Sequence, residues 1–262
     1  MKKLATALVS AAAIMTMSTT AFAAENPAEV FDRVMEKNNT IQSAEIQSGV
    51  HSVILAKDVI PDGQMKVDMA MHAEMDMQDT TDLKYLAQVA SSILGQDSYS
   101  QVFYTDGYYY VDANGVKLKY PMPLEQIISS VQTGVNTSNM ESSYMKGISL
   151  NEVNGKRVLA YEANPKKLNK NVKEALGTVM NTLGTDINLD MNIQEMKGAY
   201  VLDDNDYIIY MTNYIVYNME VLDQPMTCIT LMETEVQNPG EPVVVTLPST
   251  CLLYTSDAAD EL

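Results

Sequence analysis

Residues 64 to 77, QMKVDMAMHAEMDM, separate by parity. Odd positions hold Met65, Val67, Met69, Met71, Ala73, Met75 and Met77, while even positions hold Gln64, Lys66, Asp68, Ala70, His72, Glu74 and Asp76. Successive side chains of a strand point to opposite faces, so every methionine of this stretch lies on one face. At about 3.3 Å per residue the stretch spans on the order of 46 Å, against a usual strand of about five or six residues. A strand that long predicts a large sheet, which must twist and curl.

The same period recurs along the chain. From Ser43 to Ile54, Ala44, Ile46, Val50 and Ile54 alternate with Glu45, Gln47, Gly49 and His51. The run QVFYTDGYYYVDANGVKLKYPMP places Asp106-Gly107 and Asn114-Gly115 between apolar-aromatic segments, a strong hairpin signal that predicts a three-stranded meander. Further alternation at 145–153, 156–163, 187–202, 206–222 and 227–236 predicts more strands, with turns at Asn154-Gly155 and at Asp203 to Asp206. Pro239, Pro242 and Pro248 bracket a last short strand, Val243 to Leu247.

Helical spacing appears in four places. Over 26 to 37, Asn26 can cap, Pro27 opens the first turn, and Val30, Phe31, Val34 and Met35 form one apolar stripe. Leu83, Leu86, Ala87, Ala90, Ile93 and Leu94 fit a helical face, as do Leu124, Ile127, Ile128 and Val131. The fourth is 166 to 183, where Leu168, Val172, Ala175, Leu176, Val179 and Leu183 are apolar opposite Lys166, Lys167, Lys170 and Lys173. A large antiparallel sheet with a few helices must bury its apolar face, and the helices are the available cover. The expected class is α+β, in a single domain over 24–250.

Both ends fall outside that domain. Lys2 and Lys3 precede an alanine-rich apolar stretch that reaches Ala21-Phe22-Ala23, the pattern of a signal peptide over 1–23. The stretch is too short and too interrupted by Ser and Thr to span a bilayer, so export without a transmembrane anchor is expected. No cysteine follows the cleavage point, so lipid anchoring is not expected, and the protein belongs outside the cell or in its envelope. The final segment 251–262, CLLYTSDAADEL, lacks periodicity and resembles a translated sequencing adapter, so the native chain is expected to continue past Thr250. Setting it aside leaves Cys228 as the sole cysteine of the domain, an inert strand residue with no disulfide partner.

Charge and motifs restrict function by exclusion. A net charge of −17 at pH 7 repels nucleic acid and anionic lipid and suits a soluble secreted protein. The segment DINLDMNIQE spaces Asp186, Asn188, Asp190 and Asn192 two apart, but Met191 stands where a calcium loop needs glycine and Lys197 where it needs glutamate. His72 and Glu74 share the polar face of the methionine strand and could co-ligate a divalent ion, yet the chain has 2 histidines, and no metal or other cofactor is expected. No nucleophile elbow, metalloprotease helix, P-loop or Cys/His pairing is present, so catalysis is not expected. Tyr104, Tyr108, Tyr109, Tyr110 and Tyr120 either stabilise their hairpins by cross-strand pairing or offer a contact surface to a protein partner.

The exported N-terminus, leading amphipathic helix, long alternating strands with hairpins and inserted helices resemble the LolA/LppX-like envelope carriers, over Glu25 to Thr250. The resemblance implies a strongly curved antiparallel sheet, an open half-barrel, covered on its concave face by a few helices with room for acyl chains between. It also implies that Val67, Met69, Met71, Met75 and Met77, with Ile187, Leu189, Met191 and Ile193 from a second long strand, line that concave surface. Methionine, unbranched and polarizable, suits a variable apolar ligand. Ordinary core packing would use the same residues, and a copper(I) box would need more tightly clustered sulfurs than one strand face provides. Two function classes follow: an envelope binding protein for a lipid or other apolar ligand, and a secreted interaction module with a filled core that meets an envelope protein partner.

Overall fold

The computed structural model describes residues 25–56, 60, 62–79, 83–123, 140–170, 191–221, 224–248 and 255–256. In chain order these form helix α1 (Pro27–Asn38) and strands β1 (Ser43–Leu55), β2 (Gln64–Asp76), β3 (Lys84–Ile93), β4 (Gln96–Thr105), β5 (Tyr108–Ala113) and β6 (Val116–Pro121). A 3-10 turn (Ser142–Tyr144) leads into β7 (Met145–Val153), β8 (Lys156–Ala163), β9 (Met191–Leu202), β10 (Ile208–Val221), β11 (Gln224–Gln237) and the two-residue β12 (Thr255–Ser256). The hydrogen-bonded order is β12-β6-β5-β4-β3-β2-β1-β11-β10-β9-β8-β7, a mostly antiparallel sheet that does not close. Among the described strands β12 pairs with β6 in parallel. As the long period-two runs require, β1 and β2 each hold 13 residues and β10 and β11 each hold 14.

The chain folds into two compact units, to which β1, β2 and β11 each contribute a part. The first takes residues up to 38, then 50–67 and 139–233; the second takes 39–49, 68–138 and 234 onward.

In the first unit α1 begins as its sequence dictates. The Asn26 side chain accepts from the Ala28 N–H at 3.1 Å and donates to Glu29 at 3.1 Å, which satisfies an otherwise orphaned amide of the first turn. Val30, Phe31, Val34 and Met35 are all buried, and they pack on Leu150, Leu159, Tyr161, Tyr200, Leu202 and Ile208. Strand register puts Ile148 opposite Tyr161, and Leu150 opposite Leu159 opposite Tyr200 opposite Met211, so α1 covers one face of β7–β10. A second helix starts at 165 and is described to 170. Its Leu168 packs against Ala163 and Ile193. The remainder of the helix expected to 183, and the helix expected around Leu124 to Val131, lie outside the described residues.

In the second unit the meander is as predicted and one strand larger. Asp106-Gly107 and Asn114-Gly115 both adopt positive φ at both residues, the two-residue hairpin turn those sequences favour. The segment 83–94 is not a helix but β3, paired along its length with β4. Its apolar residues misled the periodicity because the first part of the strand is covered from both sides. Tyr85 packs with Met75, Met77 and Tyr104, whereas Leu86 packs with Phe103, Tyr110 and Val245 on the opposite face. A strand buried on both faces loses the period of two and reads like a helix.

Val243 to Leu247 also departs from expectation: it is extended chain with no ladder partner. Pro242 and Pro248 lack the N–H groups a strand would donate. The segment instead lies over the Leu86-Phe103-Tyr110 face, with Val245 buried, Leu247 packed beside it and the Thr246 N–H held by the Glu74 carboxylate at 2.9 Å.

Candidate functional site

The odd face of β2 changes character along its length. At its C-terminal end Ala73, Met75 and Met77 are buried, and the two methionines join Ala44, Leu83 and Tyr104 in a core with Ile41, Ile46, Tyr85, Tyr109, Met122 and Val236 around it. Further back on the same face Met71 is half-buried and Met69 is 39% exposed. The even face remains polar: Gln64, Lys66 and Asp68 are exposed, and His72, Glu74 and Asp76 are half-buried. Parity therefore holds while burial does not follow it all the way.

Across the meander this face is continued by tyrosines. Tyr85 is opposite Tyr104, Tyr104 opposite Tyr109, and Tyr109 opposite Tyr120, one side chain from each of β3 to β6 in a single lateral row. The Tyr109 and Tyr120 rings lie 5.5 Å apart, and the Tyr104 hydroxyl donates to the Met122 carbonyl at 3.3 Å. Burial pushes the Tyr109 phenol up to about 12 and raises Tyr85 and Tyr120 in the same direction, since ionisation would strand a charge beside apolar neighbours. These hydroxyls stay neutral at physiological pH. They give a sulfur-and-aromatic surface a few polar handles without fixed charge.

In the first unit Val67 is half-buried, Met191 is half-buried, and Ile193 is buried with Ala163 and Leu168. Ile187 and Leu189 lie outside the described residues, as do Asp186, Asn188 and Asp190. The structure thus brings Met75 and Met77 together in the second unit and Ile193 with the start of the second helix in the first.

A feature the sequence reading passed over lies beneath α1. Tyr161 and Tyr200 stack at 5.2 Å, Phe31 meets Tyr161 edge-on at 5.8 Å, and the Tyr161 hydroxyl donates to the Asn213 side chain. Burial holds Tyr161 well above the ordinary phenol value and Tyr200 at about 12. This cluster closes over Gly198, where an added Cβ would sit 2.5 Å from the Thr212 carbonyl oxygen and 2.8 Å from the Tyr161 hydroxyl. A glycine inside a strand pattern was the available signal, because it marks close approach of another chain.

Other candidates resolve into structural roles. His72 contacts Glu74 at 3.1 Å and Glu45 at 3.9 Å, while the second Glu74 oxygen accepts from Thr246. Among the described residues no three His, Cys, Asp or Glu side chains gather as a metal-holding group. Cys228 is buried, and burial pushes its thiol up. Depressions of about 320 Å³ (by Asp76, Gln78, Lys84 and Val243–Val245) and about 340 Å³ (by Gly147, Ala160, Tyr161 and Lys197) are lined by none of the seven described residues among those expected at a ligand. Among the described residues no helix is long and apolar enough to cross a membrane.

The model of the Family of unknown function (DUF6612) matches residues 26–250. The chain belongs to the DUF6612 family. No curated protein matches this DUF6612 sequence. Among solved structures it is similar to LprF from Mycobacterium bovis, at 8% identity and a TM-score of 0.37 over 85% of this chain and 97% of that one. It is also similar to a beta-barrel-like protein of domain of unknown function DUF1849 from Brucella abortus, at 11% identity and a TM-score of 0.25 over 76% of this chain and 100% of that one. Likenesses at this level carry no functional argument for the DUF6612 chain.

Proposed function

We propose that this DUF6612 protein is an exported cell-envelope binding protein that holds a lipid acyl chain, or an apolar ligand of similar shape, against the odd-numbered face of β2. The observation that carries the reading is the incomplete cover of that face. Met75 and Met77 are packed, yet Met69 on the same side of the same strand keeps 39% of its surface exposed and Met71 is half-buried. A strand face that is apolar at every position but only partly filled suits an unbranched ligand. The LolA/LppX-like half-barrel with helices over its concave side is the architecture this reading adopts; the open, mostly antiparallel sheet and its long strands support it. The ligand-facing residues of this reading are Met69, Met71, Met75 and Met77, all in the second unit, and the role requires no reaction and no cofactor.

The interaction-module reading is favoured by the packed core around Met75 and Met77 and by the exposed rings of Tyr108 and Tyr120. Native mass spectrometry of gently extracted protein separates the two readings. An adduct of lipid mass, displaced by a fluorescent fatty acid, supports the carrier. Met69→Asp then weakens fatty-acid binding by about tenfold or more, because each buried methionine contributes roughly 1.5–3 kcal/mol of apolar contact and 1.4 kcal/mol is one decade in affinity. Protein that carries no lipid and takes up no fatty acid would overturn the carrier and leave the interaction module.

A further inference from the structure

The described hairpins of the second unit differ at one tip. The turns at Asp106-Gly107 and Asn114-Gly115 place Asp or Asn at the first positive-φ position, where their short polar side chains are tolerated. The β3–β4 turn instead places Leu94 there, at φ 53, followed by Gly95 at φ 76. A branched aliphatic side chain is a poor choice for this backbone, and burial does not compensate it, since Leu94 is 71% exposed. Ile93 beside it is also exposed, as are Tyr99 on β4 and, at 61%, Val116 on the neighbouring β5–β6 turn.

Register places these residues at one end of the meander. Ile93 is opposite Gln96, and the Tyr99 N–H donates to the Asn114 side chain at 3.0 Å. Because β5 pairs with β4 only from Ser100 onward, the β3–β4 hairpin runs past the β5–β6 turn by Gln96 to Ser98, on the order of 10 Å. From Ser91 to Tyr104 the one charged residue is Asp97, in a chain of net charge −17.

We infer that the Leu94 tip docks on an electrically neutral lipid surface, seating Leu94 and Ile93 among acyl chains with Val116 and Tyr99 at the headgroup level. Two considerations select this occupant. Four side chains fall far short of the roughly 800 Å² per partner that a stable protein interface requires. Insertion into a bilayer needs no matching surface and gains with each aliphatic group buried. The charge balance then selects the lipid: an acidic body is repelled by anionic headgroups, whereas a nearly uncharged tip meets a zwitterionic layer without penalty. The inference stands apart from the acyl-ligand reading.

Flotation of the mature protein with phosphatidylcholine vesicles, and with vesicles containing phosphatidylglycerol, tests it. The expected result is flotation with the first, weaker flotation with the second, and at least a tenfold loss in Leu94→Asn. That substitution supplies the residue the turn prefers, so its thermal midpoint stays equal to or above that of the unsubstituted protein, and loss of folding cannot explain the loss of binding. Met69→Asp floats normally, which distinguishes this tip from the ligand face. Flotation of Leu94→Asn at the unsubstituted level, or absence of flotation with phosphatidylcholine, overturns the inference. A concentration-dependent dimer that Leu94→Asn abolishes, in protein that ignores vesicles, assigns the tip to a second copy instead.

Discussion

Replacing Gly198 by alanine tests the packing beneath α1. The new Cβ would stand 2.5 Å from both the Thr212 carbonyl oxygen and the Asn213 side-chain oxygen, and 2.8 Å from the Tyr161 hydroxyl. The first is backbone of the paired strand β10 and cannot rotate away. β9 and β10 must therefore separate locally, and the Tyr161 phenol is pressed away from Asn213. Overpacking of this kind costs about 1–3 kcal/mol, and loss of a buried hydrogen bond adds about 0.5–1.5 kcal/mol. Against this, alanine is favoured over glycine in a strand by roughly 0.5–1 kcal/mol. The net loss, about 0.5–4 kcal/mol from these figures, lowers the melting temperature by about 2–4 °C per kcal/mol for a domain of this size. Thermal unfolding followed by circular dichroism measures it, and Tyr161→Phe provides the second arm. Removing the hydroxyl relieves one of the contacts, so the double variant is less destabilised than the sum of the two single variants. A Gly198→Ala midpoint indistinguishable from the parent, or strict additivity with Tyr161→Phe, would refute the reasoning.

Two further outcomes follow from ionisation. Burial works against the Asp206 carboxylate, but hydrogen bonds from Arg33, on α1, and from Arg157 outweigh it and hold the group below its ordinary value. The resulting stability is fully present above the unfolded-state value near pH 4 and fades as pH falls through the lower folded-state value, so the melting temperature of Asp206→Asn is flatter than that of the parent below about pH 4. At the other extreme, phenols raised to about 12 at Tyr109 and Tyr200 contribute stability that is complete below the ordinary value near 10 and lost as pH climbs toward 12. Absorbance titration at 295 nm should therefore show a late tyrosine class ionising together with unfolding, and a single early transition of all phenols would contradict the burial.

Much of the scaffold was legible because single residues announce it. Parity placed the methionines of β2 on one side, Asn26-Pro27 fixed the start of α1, and the Asn-Gly and Asp-Gly pairs located turns within a residue. Legibility ended where cover is supplied from far along the chain. The β3 stripe at Leu86 and Ala87 could not reveal that Val245 and Leu247, over 150 residues later, would close its second face. Val243 to Leu247 has strand-like composition, but its prolines deny it a ladder, and only tertiary packing shows what it covers. The odd face of β2 was readable as apolar and unreadable as filled or open: Met69 and Met75 are the same residue type on the same side, and only their surroundings make one exposed and the other buried. Gly198 was visible as an exception in its strand, while the phenol that requires it comes from Tyr161 on another.

The aromatic cluster under α1 also makes this chain its own optical gauge. With no tryptophan to drain excitation and 15 tyrosines to supply it, ultraviolet emission comes from phenols alone. Tyr161 and Tyr200 lie in van der Waals reach of Phe31 on the helix. Lifting that helix would wet two rings that are dry when it is seated, so its docking can be followed in unlabelled protein by lifetime or quencher access.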